Sequence, residues 1–366
     1  MKQRMRVVLC VVGAAWVAVG VAAIQAQVEG EPLWAYAWST PPKPGDKANP
    51  QAPPTRNLRP NEDAQEQTKP RSVNGSTASY SLVDIRDGHN VIDWFPGDHP
   101  AMPQIIKNGP ASLGETARGC GSCHLPNGKG RPENAPVSGQ PVGYFIQQLR
   151  DFAAGRRASA DPRKPNTVTM ANLARAMTEQ EMQQAAEYFA AIRWTPWIRV
   201  VEADRIPEMH LEEGNMYITH GKEPTEALAG RIVETLEDAY EANMVRNPRS
   251  GWVAYVPVGS LAKGKRLVEL GEVVESGKPV RKTFACAGCH GADLNGVGDT
   301  PAIASRSPSY MMRQLYDFKR GTRNGVYSDI MKPVVEKLNN DEMTAIVGYL
   351  ASIKPAAPAQ TTTSSR

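Results

Sequence analysis

The sequence predicts a mainly α protein: two similar helical modules, joined by a partly β connector and preceded by an extended N-terminal arm. Two observations carry that expectation. The pentapeptide Cys-x-x-Cys-His occurs twice, at Cys120–His124 and Cys286–His290. After each copy the same order of apolar and polar residues follows at helical spacing. A hydrophobic share of 41% supports packed cores, while 30 Pro and 31 Gly among 366 residues leave much of the chain in loops.

The chain opens with Lys2, Arg4 and Arg6, then the uncharged run Val7–Ile24, with small residues at Ala22, Ala23 and Ala26. This order describes a secretory signal peptide over residues 1–26. An uncleaved membrane anchor through residues 7–24 is the alternative, because an apolar run of that length is near the lower limit for a span. Either way the remainder is expected outside the cytoplasm, in a periplasm. The net charge is +4, and three of those charges belong to the leader, so the rest is nearly neutral. Such a balance gives no signal for nucleic acid.

Residues 27–99 form the arm. Pro41, Pro42, Pro44, Pro50, Pro53, Pro54 and Pro60 interrupt any helix there. The arm starts with Trp34, Tyr36 and Trp38, which either dock a partner or pack back onto a domain, the second being favoured. Ser79–Ile85 reads as a strand, Asp93–Gly97 as a turn, and Pro103–Asn108 as a short first helix.

The two modules span 100–195 and 258–355. Gly130 and Gly296 stand six residues after the motif histidines, and Tyr144 and Tyr310 stand twenty after. Each tyrosine lies on an amphipathic helix with Pro141 or Pro308 near its start, where proline is tolerated. Gly155 and Arg157 match Gly321 and Arg323 beyond it. A final helix follows from Thr178 to Ile192 and from Asn339 to Ile353. Thr178 and Asn339 are expected N-caps, with Glu181 and Glu342 completing capping boxes. The connector, 196–257, contains strand-like runs at Trp197–Val201 and Gly251–Val256. Residues 356–366 form a polar tail.

Cys-x-x-Cys-His is the attachment site of a c-type haem. Its thiols form thioethers to the two vinyl groups of one porphyrin, and its histidine binds the iron from below. Two covalently bound haem c groups are therefore expected, on Cys120 and Cys123 with His124, and on Cys286 and Cys289 with His290. Of five cysteines, Cys10 falls in the leader and the other four belong to the motifs, so no disulfide or spare thiol is left. A zinc site is the weaker alternative, because it would have to gather those thiols and histidines in one place.

The sixth iron ligand is expected from a loop between helices. Met170 and Met331 each stand eight residues before a final-helix N-cap, and the repeat superposes them. A thioether is a soft neutral ligand that favours ferrous iron and raises the potential. Met177, Met182, Met311, Met312 and Met343 fall at core positions instead. His89, His99, His210 and His220 lie outside the repeat; the last two remain a minor alternative as distal ligands.

With these features each module resembles a class I cytochrome c, and the pair resembles the two-domain dihaem cytochromes c of bacterial periplasms. The resemblance implies two all-α domains with exposed haem edges and His/Met ligation. It also implies single-electron transfer in a respiratory chain, as a carrier or as a subunit of a dehydrogenase or oxidase complex. Redox proteins are then the donor and acceptor, among them a membrane-bound dehydrogenase or terminal oxidase. Tyr144 and Tyr310 are expected near the haems. Arg157 and Arg323 either serve haem propionates or face water. A dihaem enzyme of peroxidase or thiosulfate-oxidising type is the alternative; it needs an open iron, and the matching methionines argue against one. No catalytic residue is assigned. Residues 27–99 and the long connector fall outside the pattern of this family.

Overall fold

The computed structural model describes residues 30–354 except 55, 57 and 213–215; the expected leader 1–26 and tail 356–366 lie outside the described residues. Among the described residues no helix is long and apolar enough to cross a membrane.

The arm is tied down along its length. Helix α1 (Leu33–Tyr36) seats Tyr36 in the core of the second module, where its hydroxyl donates to Asp317 at 2.8 Å. The Arg163 guanidinium lies 4.5 Å from the Trp38 ring centre. The aromatic cluster therefore packs back on the protein. After α2 (Ala64–Thr68) comes α3 (Leu82–Arg86), where a strand was expected from Ser79. Ser81 and Asp84 close a capping box there, and two satisfied backbone donors outweigh the β-leaning composition. Only Tyr80 keeps a bridge, to Arg71.

The first module contains α4 (Gln104–Lys107), α5 (Cys120–His124), α6 (Val142–Ala153), α7 (Pro165–Ala176) and α8 (Glu179–Ala190). The intervening segment builds a five-stranded sheet from β1 (Ile198–Glu202), β3 (Glu208–Glu212), β4 (Met216–His220), β6 (Val233–Leu236) and β7 (Trp252–Val256), in the order β1-β7-β6-β4-β3. A small ribbon pairs β2 (Arg205–Ile206) with β5 (Glu226–Ala227). β1 runs parallel to β7, with Ile198 opposite Trp252 and Glu202 opposite Val256. Ile232, Ala254 and Val256 share a core with Leu267, Met312 and Val347, so the sheet is a wall of the second module rather than a loose link.

The second module has α9 (Ser260–Leu270), the ribbon β8 (Glu272–Glu275) and β9 (Lys278–Arg281), α10 (Ala287–His290), α11 (Pro308–Lys319), α12 (Ser328–Val335) and α13 (Asn340–Ser352). The capping boxes at Thr178 and Asn339 both form; such caps contribute about 1 kcal/mol each. α9 and α13 cross with backbones in contact, since a Cβ at Gly264 would overlap the Ala345 carbonyl.

Met170 and Met331 differ from expectation in one respect. They lie on α7 and α12, not in loops. Pro165 opens α7 at a position whose missing N–H costs nothing, and Leu173, Ala174, Arg175 and Ala176 then favour helix.

Candidate haem sites

Both Cys-x-x-Cys-His motifs fold as single helical turns and continue in the same way. The Gly130 N–H donates to the His124 carbonyl and the Gly296 N–H to that of His290, each at 2.8 Å. Both glycines have positive φ, 67° and 88°. A Cβ at Gly130 would stand 2.7 Å from the Ala135 carbonyl oxygen and one at Gly296 2.5 Å from that of Thr300, so the repeat needs glycine here.

Each histidine is then oriented by a carbonyl eleven residues on. His124 Nδ1 lies 2.8 Å from the Ala135 oxygen and His290 Nδ1 2.8 Å from the Pro301 oxygen. A carbonyl only accepts, so Nδ1 carries the proton and Nε2 keeps its lone pair for a metal. Burial pushes both imidazoles below their usual range, which keeps them neutral, although the same carbonyl bonds act against that shift. Sequence reading missed these carbonyls. The equal offset inside two proline-containing loops was the available signal.

The first thiol of each motif is also held neutral. Burial, reinforced by Cys123, pushes Cys120 up to about 12, and burial pushes Cys286 up to about 11.

The structure brings each histidine to its own module's methionine. A cavity of about 610 Å³ is lined by Cys286, Cys289, His290 and Met331, with Met311, Leu315 and Val347 among its apolar walls. The first site consists of two smaller cavities, of about 120 and 40 Å³. Both are lined by His124, Phe145, Leu149 and Met170, and the smaller adds Cys120 and Cys123. The second cavity has room on the scale of a tetrapyrrole, whereas the first is divided into two smaller lobes. His89, His99, His210 and His220 line neither site. His99 bonds Asp93 and the Pro100 carbonyl, while His210 and His220 stack with ring centres 4.0 Å apart on the sheet. Among the described residues no group of three or more His, Cys, Asp or Glu gathers to hold a metal ion.

Polar groups at the sites fit an acidic prosthetic group. Arg306, 1% exposed, lines the second cavity and donates through Nη1 to the Ser138 carbonyl at 2.9 Å. Its Nε and Nη2 are buried without a hydrogen-bond partner. Burial pushes this guanidinium down to about 9. The guanidinium lies 3.7 Å from the Trp194 ring centre, and its two unpartnered nitrogens suit an anionic acceptor; haem carries two carboxylates. At the first site burial and Arg313 push the Lys164 amine down to about 7, against Glu133, Asp161 and Asp317.

Arg157 lines the first cavity and Arg323 the second, and the two also join the modules, a role not read from sequence. Arg157 Nη2 donates to Tyr310 at 3.2 Å and Gln314 at 2.9 Å. Reciprocally, Arg323 Nη2 donates to Tyr144 at 3.0 Å and Gln148 at 2.9 Å. A backbone bridge between the two arginines completes a pseudo-twofold joint. Tyr144 and Tyr310 each line both sites, so this joint separates the two cavities.

Comparison with known proteins agrees with this geometry. The cytochrome c family profile matches residues 107–192 and 262–354. Cytochrome c4 of Azotobacter vinelandii is 26% identical over 254 residues, covering 67% of this chain and 90% of that protein. The thiosulfate dehydrogenase electron acceptor of Thiomonas intermedia is 24% identical over 246 residues, covering 66% of this chain and 81% of that protein. The cytochrome subunit of sulfide dehydrogenase of Chlorobaculum tepidum is 31% identical over 100 residues, covering 25% of this chain and 88% of that protein. With a module at each motif and two covalently bound haem c groups for electron transfer, the chain belongs to the cytochrome c family, as a two-domain dihaem member.

Proposed function

We propose that the protein transfers single electrons in a periplasmic respiratory chain, as a carrier or as the electron-transfer subunit of a dehydrogenase. Cys120, Cys123, Cys286 and Cys289 would hold the two haems as thioethers, and His124 with Met170, and His290 with Met331, would bind the two irons. The observation that supports this reading most is that His290 and Met331 line one cavity together, and His124 and Met170 together line both lobes of the other site. Two protein ligands to each iron would leave a bound haem no position for substrate, which favours electron transfer over catalysis.

Haem supplies a one-electron iron couple. The protein's residues set its conditions. The Ala135 and Pro301 carbonyls hold the imidazoles in one tautomer. Phe145 and Leu149, and Met311 and Leu315, exclude water from the two sites. The Arg157–Tyr310 and Arg323–Tyr144 bonds fix the modules relative to each other, which keeps reorganisation small. Relatives named as an electron acceptor of thiosulfate dehydrogenase and as a subunit of sulfide dehydrogenase support a sulfur-oxidising dehydrogenase as donor.

Optical and magnetic spectra of the oxidised holoprotein test this reading, which expects two low-spin His/Met haems. Met331→Ala should lower the second potential and open that iron to carbon monoxide. A variant that binds no more carbon monoxide than the wild type would remove Met331 from the ligand set.

A further inference from the structure

The two attachment motifs are alike in sequence but not in exposure. No residue from Ala117 to Gln140 is exposed, whereas ten from Phe284 to Asp299 are. Three segments cover the first motif. The arm reaches it through the Ala52 carbonyl, which accepts from Arg118 Nη2 at 2.6 Å, and through Gln51 N, which donates to Thr169 Oγ1 at 2.9 Å. Residues 88–91 lie across the turn: Gly119 N donates to the Gly88 carbonyl at 2.8 Å, and a Cβ at Gly121 would stand 3.0 Å from Val91 Cγ1. The segment after the π-turn at Tyr240–Met244 closes the third side. Arg246 Nη1 donates to the Ser122 carbonyl at 3.4 Å, and Asn127 Nδ2 to the Pro248 carbonyl at 2.7 Å.

Among the described residues the second motif has no such cover, and the residues around it differ in kind. Phe284, Tyr327 and Ile330 line the second cavity yet are 58%, 64% and 60% exposed, so they stand at its mouth, with Val326 beside them. Cys289 is exposed there as well. Counted from the first cysteine of each motif and from Met170 and Met331, the matching residues of the first module are Arg118, Asn166 and Thr169. Two of these three hold the arm. One face of the repeat is thus built to be covered by the chain itself, and the equivalent face is built apolar and left open.

We infer that the second module alone is the docking face for external redox proteins, through Phe284, Val326, Tyr327 and Ile330, and that the first haem exchanges electrons by way of the second. The inference rests on the electron-transfer reading and adds the port and the order. A reduced partner gives up one electron to the second site, which passes one electron across the Arg157–Arg323 joint to the first. The occupant is a redox protein that presents its own electron-transfer group in an apolar surface. Electron transfer requires close approach, and at the covered motif the chain's own segments occupy the approach. An apolar face of several large side chains is also the kind of surface that soluble proteins reserve for contacts.

The test uses the full dihaem protein, a Tyr327→Lys/Ile330→Lys double variant, and Leu113→Lys as a control on the first module, where Leu113 is 37% exposed. Stopped-flow reduction is followed with two donors: a reduced blue-copper protein with an apolar copper face, and hexaammineruthenium(II). The double variant should lose at least tenfold more rate with the copper protein than with the ruthenium complex, each taken relative to wild type. Leu113→Lys should match wild type with both. An unchanged protein rate in the double variant, or equal slowing in Leu113→Lys, overturns the inference. So does a wild-type dimer in sedimentation that the double variant dissociates, which would make a second copy the occupant. Flotation with phosphatidylcholine–phosphatidylglycerol vesicles that the variant abolishes would make it a lipid surface. Oxidised spectra on the same samples separate this from the reading it rests on, since two low-spin His/Met haems with an unaltered docking rate refute the port alone.

Discussion

Asp317 should make the protein less stable as the pH rises from 4 to 7, and Asp317→Asn should remove that loss. The carboxyl lies at the end of α11, 7% exposed, where Oδ1 accepts from the Tyr36 hydroxyl and from Ala160 N, each at 2.8 Å. Burial pushes it up from 3.8 to about 6; the bonds to Ala160 and Tyr36, and the charges of Arg313 and Arg323, hold it back only in part. The folded protein therefore keeps this proton more tightly than the unfolded chain does. The stability gained is full below about pH 4 and is lost as pH rises through 6. A shift of about two pH units corresponds to about 3 kcal/mol. Asp84, Asp87, Asp98 and Glu181 are shifted downward and act in the opposite sense, but they are common to both proteins and cancel in the difference. Urea denaturation of the holoprotein, followed by far-ultraviolet circular dichroism at pH 4 and pH 7, measures that difference. The variant should gain on the order of 3 kcal/mol relative to wild type between the two pH values. An equal difference at both pH values, or a relative loss at pH 7, refutes the reasoning.

Two further outcomes concern the joints of the fold. Gly264→Ala should cost about 1–3 kcal/mol, because the new methyl group meets the Ala345 carbonyl where α9 crosses α13; an unchanged melting temperature would mean the helices do not touch there. Tyr310→Phe removes one acceptor from Arg157 and should cost about 1–3 kcal/mol, with the larger loss seen in the first transition if the modules melt separately. Calorimetry showing wild-type stability in that variant would reduce the cross-module bond to an incidental contact.

Much of the site was legible because its parts are local. Cys-x-x-Cys-His places two thiols and an imidazole by covalent adjacency alone, and Gly130 and Gly296 follow at a fixed offset. Capping boxes at Thr178 and Asn339 could be read because each closes within four residues. The repeat singled out Met170 and Met331, but not the helices that carry them, since the cue for loop was the gap between stronger periodicities. Ser79–Ile85 was misread because β-leaning residues hid a capping box only four residues long.

The sequence by itself determined two repeated modules, the chemistry at each motif and the position of each helix cap. These follow from neighbours in the chain, whose geometry the backbone fixes. Tertiary structure decided everything that tells the modules apart. Arg118 meets Ala52, Ser122 meets Arg246, and Asn127 meets Pro248 across separations of 66 to 124 residues. Spacing and periodicity carry no information about which distant segment will settle on which face. Only packing, by burying one motif under the arm and connector and leaving the other open, makes two similar haem sites unequal.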